Sequence, residues 1–336
     1  MTSSASPTSA EKQPLGQNLT QSLSQNFAHI VGQAQVVDLL VQAVLKQRIA
    51  PGYLFVGPAG VGRSLAATAF ATMLLGGSDE APDHLKRRIQ SRNHPDLLWV
   101  EPTYLHQGKL LTVAEAQTAG IKRRGRPQVR LEQIRDIARF LGRPPLEAAQ
   151  AVVVIEAAEL IAEAAANGLL KTLEEPGQAT VVLIAPDQQT LLPTLISRCQ
   201  TIPFRRLSPT ELAQVLTQKG HQEILEHPEV IGLAQGSPGG AIASWQQLQT
   251  IPPDLLAHIS QPIPNLRIAL ELARQIGQTL EPESQLWLLD YLQQSRWQQG
   301  LAQGMEQLEL ARKQLLRYVQ PRLVWEVTLM NLVGEA

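Results

Sequence analysis

Between residues 27 and 204, short β-branched or aromatic runs at 53–56, 97–100, 151–155, 180–184 and 201–204 alternate with helical spacing. Strand, helix, strand in succession predicts a parallel sheet. The strings Val152-Val153-Val154-Ile155 and Val181-Val182-Leu183-Ile184 are apolar without alternation, as central strands covered by helices on both faces must be. Helices are predicted over 65–75, along Leu131, Ile134, Ile137, Ala138 and Leu141, and over 164–175. In the last of these Leu169, Leu170 and Leu173 pack on the sheet and Pro176 ends the helix. Between 102 and 127 the pattern lapses into scattered glycines and the basic string Lys122-Arg123-Arg124-Gly125-Arg126, which reads as a surface excursion.

After Arg206 no further strand is convincing, and helical signals run over 209–219, 236–248, 265–280 and from Gln285 onward. Leu301, Met305, Leu308, Leu315 and Val319 form a stripe expected to bury one face. Ile251-Pro252-Pro253 reads as a hinge. The expected organisation is a disordered tail over 1–26, an α/β domain over 27–206, a small helical piece over 207–250 and a helical module over 254–336.

The length of 336 residues fits more than one domain. Acids and bases nearly cancel, 30 against 29, so the whole molecule lacks the strong positive field of a chain that binds nucleic acid by itself. Lys86-Arg87-Arg88 and Lys122 to Arg126 read as solvated loops or as local contacts to DNA phosphates or acidic partners. Cys199 is the only cysteine, which excludes an internal disulfide and a cysteine-rich zinc site; it reads as a small buried hydrophobe in a reducing, cytoplasmic setting. The polar first two dozen residues resemble neither signal peptide nor anchor, and no apolar run reaches the roughly 20 residues that cross a bilayer.

Candidate chemistry begins at Gly57-Pro58-Ala59-Gly60-Val61-Gly62-Arg63-Ser64, a phosphate-binding loop in every position except that Arg63 stands where lysine should touch the phosphates. The loop follows a predicted strand and opens a predicted helix, so backbone N–H groups and a helix N-terminus face an anion. Gly57, Gly60, Gly62, Arg63 and Ser64 are the candidate cradle. Arginine is a longer planar fork and a poor substitute for a compact ammonium. The strand 151–155 runs into Glu156-Ala157-Ala158-Glu159. Glu156 reads either as a carboxylate reaching a metal or as a strand end at solvent; Ala157 cannot accept a proton where a hydrolytic acid would stand. Glu159 reads as an exposed helix residue, and no metal site is expected.

Five strings carry a resemblance: Ile30-Val31-Gly32-Gln33, Tyr53-Leu54-Phe55-Val56-Gly57-Pro58, Asn93-His94-Pro95-Asp96, the run from Ala166 to Pro176 (Ala-Asn-Gly-Leu-Leu-Lys-Thr-Leu-Glu-Glu-Pro), and Ser197-Arg198-Cys199. In these the chain resembles the delta-prime family of bacterial DNA polymerase III clamp-loader subunits, within the AAA+ family. The resemblance covers about 27–205 and implies a P-loop parallel-sheet domain, then a small helical lid and an all-helical C-terminal collar. It implies a pentameric ring with a delta subunit and tau or gamma ATPase subunits, acting on the sliding clamp and primed DNA in the replisome. It makes Arg198 a finger on the neighbour's ATP. It also marks departures. Arg63 replaces lysine, Ala157 the catalytic acid, and Ala185-Pro186-Asp187 a sensing Thr-Thr-Asp string. Near Gly236-Ser237-Pro238-Gly239 a glycine replaces the second sensor arginine, and 75–93 lack the four cysteines of the family's zinc module. The expectation is a non-hydrolysing subunit that requires no cofactor, with a cradle still able to hold ATP or ADP. An active ATPase of tau/gamma type and a DNA-binding AAA+ regulator remain as alternatives.

Overall fold

The computed structural model describes residues 23–77, 81–120, 126–175 and 177–334. These divide into two compact units, one ending at Arg205 and one starting at Arg206.

The first unit carries strands β1 (Gly52–Val56), β2 (Leu97–Val100), β3 (Thr103–His106), β4 (Lys109–Thr112), β5 (Ala151–Ile155), β6 (Ala179–Ala185) and β7 (Gln200–Pro203). Its helices are α1 (Ala34–Leu45), α2 (Arg63–Gly76), α3 (Asp83–Gln90), α4 (Val113–Thr118), α5 (Leu131–Leu141), α6 (Glu163–Glu174) and α7 (Pro193–Ile196). Five strands form one parallel sheet in the order β2-β5-β6-β1-β7. Every residue of β1, β5 and β6 is buried, which is why their sequences show no alternation. On one face Leu54, Val153, Val181 and Leu183 share a core with Ile134 and Ile137 of α5 and Leu169 and Leu173 of α6. Each such side chain, fully buried, contributes about 1.5–3 kcal/mol. On the other face Phe70 of α2 meets Tyr53 edge to face, with ring centroids 4.9 Å apart.

Several expectations change. Leu23 and Phe27 are 1% and 2% exposed, so the N-terminal tail gives way to packed chain before residue 26; residues 1–22 lie outside the described residues. The stretch after Pro102 is not patternless: β3 and β4 pair antiparallel, with Thr103 opposite Thr112. Gln107 and Gly108 turn the hairpin with φ of 49° and 79°, the two positive values a tight primed turn requires. Thr112 and Glu115 then form a capping box at the start of α4. The strand strings Thr-Tyr-Leu-His and Lys-Leu-Leu-Thr carry neither strict alternation nor an unbroken apolar run. Residues 122–125 of the basic string and Pro176 lie outside the described residues.

The second unit is helical: α8 (Pro209–Gln218), α9 (Pro228–Ala234), α10 (Pro238–Gln249), α11 (Pro253–Ile259), α12 (Leu266–Thr279), α13 (Pro282–Gln298), α14 (Met305–Leu316) and α15 (Pro321–Asn331). Proline at the first position of most of these fixes φ where no backbone donor is needed. Trp325 is fully buried and donates its indole N–H to Gln285 Oε1 at 2.9 Å, while Gln285 Nε2 donates to the Leu280 carbonyl at 2.8 Å. The expected stripe is corrected: only Leu308 of its five residues is buried. Leu301 and Val319 are exposed and lie outside α14, where Ala311 supplies the second buried contact. The helix before α14 ends at Gln298 and α14 itself at Leu316, so those end residues fall off its helical face.

Candidate functional site

The loop from Gly57 to Gly62 joins β1 to α2. Gly57 has φ 151°, and a Cβ there would stand 2.5 Å from the Phe204 carbonyl oxygen. Gly60 and Gly62 have φ 75° and 104°, and Gly62 ends the loop in the left-handed region without a side-chain cap. The N–H groups that open α2 therefore carry no side-chain cap from Gly62, an arrangement open to an anion. Gln33, from the Ile30 to Gln33 string, braces this loop. Its Nε2 donates to the Arg205 carbonyl at 2.7 Å and reaches the Val61 carbonyl at 3.5 Å, and its Oε1 accepts from Arg205 N at 3.2 Å.

Arg63 and Ser64 begin α2. Arg63 is half-buried, and its Nη1 is buried without a hydrogen bond. Burial lowers its pKa, opposed by the charges of Glu159 and then Glu156. Glu159 is not the exposed helix residue expected: it lies in a short 3₁₀ turn, half-buried, with Oε2 buried and unbonded. Burial raises its pKa against a bond to its own backbone N–H and the charge of Arg63. The turn that carries it starts at Ala157, held at φ 47°.

Glu156 is occupied from within the chain. Trp99 Nε1 donates to its Oε1 at 3.2 Å, and Arg92 Nη2 lies 3.5 Å from the same oxygen. Arg92 also pairs with Glu101 and stacks over Trp99, 4.6 Å from the ring centroid. The Arg92 and Trp99 partners were not foreseen; the only signal was a tryptophan in a four-residue aliphatic strand. The glycine cradle fits a phosphate. Around it, Glu156 faces an arginine, Ala157 carries no titratable side chain and Ala185 ends β6 without a hydroxyl. Among the described residues no three His, Cys, Asp or Glu gather to hold a metal.

The Asn93 to Asp96 string is a structural knot. Asp96, 2% exposed, accepts backbone N–H bonds from Leu146, Glu147 and Ala148 at 2.7, 2.8 and 2.8 Å, and its own N–H donates to His94 Nδ1 at 3.1 Å. Gly236 and Ser237 lie in the second unit, where Ser237 caps α10 by accepting from Gly240 N at 2.9 Å.

Arg198 lies on the turn between α7 and β7, its side chain 36% exposed. Nε and Nη2 donate to Glu174 Oε1 at 3.0 and 2.6 Å, and Nη1 donates to the Thr194 carbonyl at 3.0 Å and reaches Ser197 Oγ at 3.4 Å. Glu174 is thus a partner of this arginine. Cys199 packs inward against Gly52, and burial pushes its thiol up to about 11, which disfavours the thiolate.

No helix among the described residues is long and apolar enough to cross a membrane. The chain is similar to the DNA polymerase III delta-prime subunit of Bacillus subtilis, 33% identical over 192 residues, covering 56% of this chain and 52% of that one. It is 27% identical over 238 residues to the tau subunit of the same organism, covering 69% and 39%. It thus spans about half or less of the length of these curated relatives. A solved gamma subunit-related protein of Thermotoga maritima superposes over 90% of this chain and 99% of its own, with TM-score 0.52 at 14% identity, a likeness of fold. Residues 210–332 match the model for the C-terminal domain of cyanobacterial DNA polymerase III delta prime. With the model for the DNA polymerase III delta subunit matching residues 32–208, more than half of this chain, and the parallel sheet expected of it, this chain belongs to the delta-prime family of DNA polymerase III subunits.

Proposed function

We propose that this chain is a non-hydrolysing subunit of a DNA polymerase III clamp loader that places Arg198 on the ATP of a neighbouring tau/gamma-type ATPase. The observation that carries the reading is a contrast within one unit. The groups that would turn over the chain's own nucleotide are replaced or engaged, while Arg198 is ordered and solvent-accessible. A guanidinium set on developing phosphoryl charge from outside the active subunit accelerates transfer by about 10³–10⁵ in comparable systems.

In this reading the ring is pentameric, with a delta subunit and tau/gamma ATPases, and opens the sliding clamp for primed DNA in the cytoplasmic replisome. Residues 27–206 form the AAA+ domain, 207–250 its lid and 254–336 the collar through which subunits join. No cofactor is required. The backbone cradle from Gly57 to Ser64 still suits ADP or ATP held without turnover, since glycine geometry and a helix N-terminus do not depend on Arg63 being lysine.

The test is Arg198→Ala in the reconstituted loader. Turnover at the neighbouring ATP site and clamp loading should both fall, with ring assembly intact; unchanged rates sink the reading. Sustained phosphate release by the isolated subunit, abolished by Arg63→Ala, would replace it with an active ATPase.

A further inference from the structure

We propose that Glu174 is the positioning residue for Arg198, holding the guanidinium plane so that one N–H edge faces the neighbour's phosphate; this rests on the reading of Arg198 as a finger in trans. Arginine has five N–H donors in a rigid fork. Glu174 Oε1 takes one from Nε and one from Nη2, at 3.0 and 2.6 Å, and Nη1 is directed at the Thr194 carbonyl and Ser197 Oγ. One Nη2 N–H is left without a partner among the described residues. All three guanidinium nitrogens are therefore fixed by the chain itself, and the free edge has one orientation.

The supports are themselves rigid. Glu174 is the last residue of α6, whose Leu169 and Leu173 are 0% and 2% exposed in the sheet core. Thr194 lies in α7, which opens on Pro193 and buries Leu195. A half-exposed ion pair contributes only about 0–1 kcal/mol to stability. Its weight must fall on geometry, where misplacing a catalytic group by an ångström can cost about 10²-fold in rate.

One detail separates orientation from charge. Because a single oxygen of Glu174 accepts both bonds, a neutral amide oxygen of the same reach can replace it. A shorter carboxylate cannot. Glu174→Gln should therefore keep the finger in place, whereas Glu174→Asp, charged but one methylene short, should not.

The experiment uses the reconstituted loader with only the ATP site facing Arg198 competent, and reads kcat and KM for ATP together with thermal melting. Glu174→Ala and Glu174→Asp should each lower kcat on the order of tenfold with KM little changed, and Glu174→Gln should stay within roughly twofold of the parent, as an orientation effect requires. In an Arg198→Ala background all three should be silent. Loss of activity in Glu174→Gln equal to that in Glu174→Asp overturns the proposal, as does a rise in kcat on removing the carboxylate or a loss that persists without Arg198. If Glu174→Ala fails to fold, the Gln and Asp pair decides alone. Should Arg198→Ala leave the rate unchanged, the finger reading fails; should it lower the rate while Glu174→Asp does not, only the positioning role fails.

Discussion

Arg63 Nη1 and Glu159 Oε2 are both buried without a hydrogen bond, and the two charges act on each other beside the first turn of α2. A cation and an anion thus face each other in a half-buried setting at the residue that opens α2. Arg63→Ala leaves a half-buried carboxylate uncompensated and should lower the unfolding free energy by roughly 1–3 kcal/mol. The double variant Arg63→Met with Glu159→Gln, which removes both charges and keeps volume, should recover most of that loss. Urea denaturation of the parent, the two single variants Arg63→Met and Glu159→Gln, and the double variant checks it. If the losses of the two single variants simply add in the double, the charges are not coupled.

Arg63→Lys should strengthen nucleotide binding and still give no turnover. A compact ammonium suits the phosphate position, yet Ala157 supplies no base and Glu156 stays engaged by Arg92 and Trp99. Calorimetric titration with ATP should show tighter binding than the parent, and phosphate release should stay at background. Turnover by this single variant would show that the missing acid is not the block.

The sheet was legible because its central strands are buried on both faces and announce themselves as unbroken apolar runs; 97–100 and 151–155 match β2 and β5 residue for residue. The phosphate loop was legible because glycines there meet hard backbone limits. Glu159 was misread because its distance from Arg63 is set by a 3₁₀ turn, which has no helical period. Arg92 and Glu174 escaped for a related reason. Each is an ordinary surface charge in sequence, 64 and 24 residues from the group it serves, and only the strand and helix ends bring Arg92 to Glu156 and Glu174 to Arg198. The hairpin after Pro102 went unseen because its strands, Thr-Tyr-Leu-His and Lys-Leu-Leu-Thr, show neither strict alternation nor an unbroken apolar run such as β2 has.

Asp96 should make stability fall on the acid side. Burial alone would raise its pKa, but three backbone N–H bonds from Leu146, Glu147 and Ala148, with His94 adding to them, hold it below the usual carboxylate value. A group whose folded pKa is depressed binds its proton less well when folded, so its contribution is complete above the unfolded value of about 4 and is lost as pH falls through the lower folded value. Asp96→Asn keeps one acceptor and sets an amide against N–H groups, and should cost roughly 2–3 kcal/mol at pH 7. The gap between parent and variant, measured by denaturant melts, should be constant from pH 7 to about 5 and shrink below about 4. A gap that widens in acid would contradict the assignment.

Gly57 and Gly62 bound the same loop and should respond differently to a methyl group. Both have positive φ, so alanine is strained at each by about 1–2 kcal/mol. At Gly62 nothing lies within 4 Å of the added Cβ, and strain is the whole cost. At Gly57 the Cβ would stand 2.5 Å from the Phe204 carbonyl oxygen and 2.8 Å from its Cβ, while Phe204 N is fixed to the Val56 carbonyl by a 2.7 Å bond. Relief needs the backbone just after β7 to move off β1. Gly57→Ala should therefore cost at least roughly 2 kcal/mol more than Gly62→Ala, in line with overpacking of a close-packed interior. Thermal and urea denaturation of the two variants decides the matter. Equal losses would mean that the approach of Phe204 to the loop is loose, and that the cradle's shape is set by glycine φ alone.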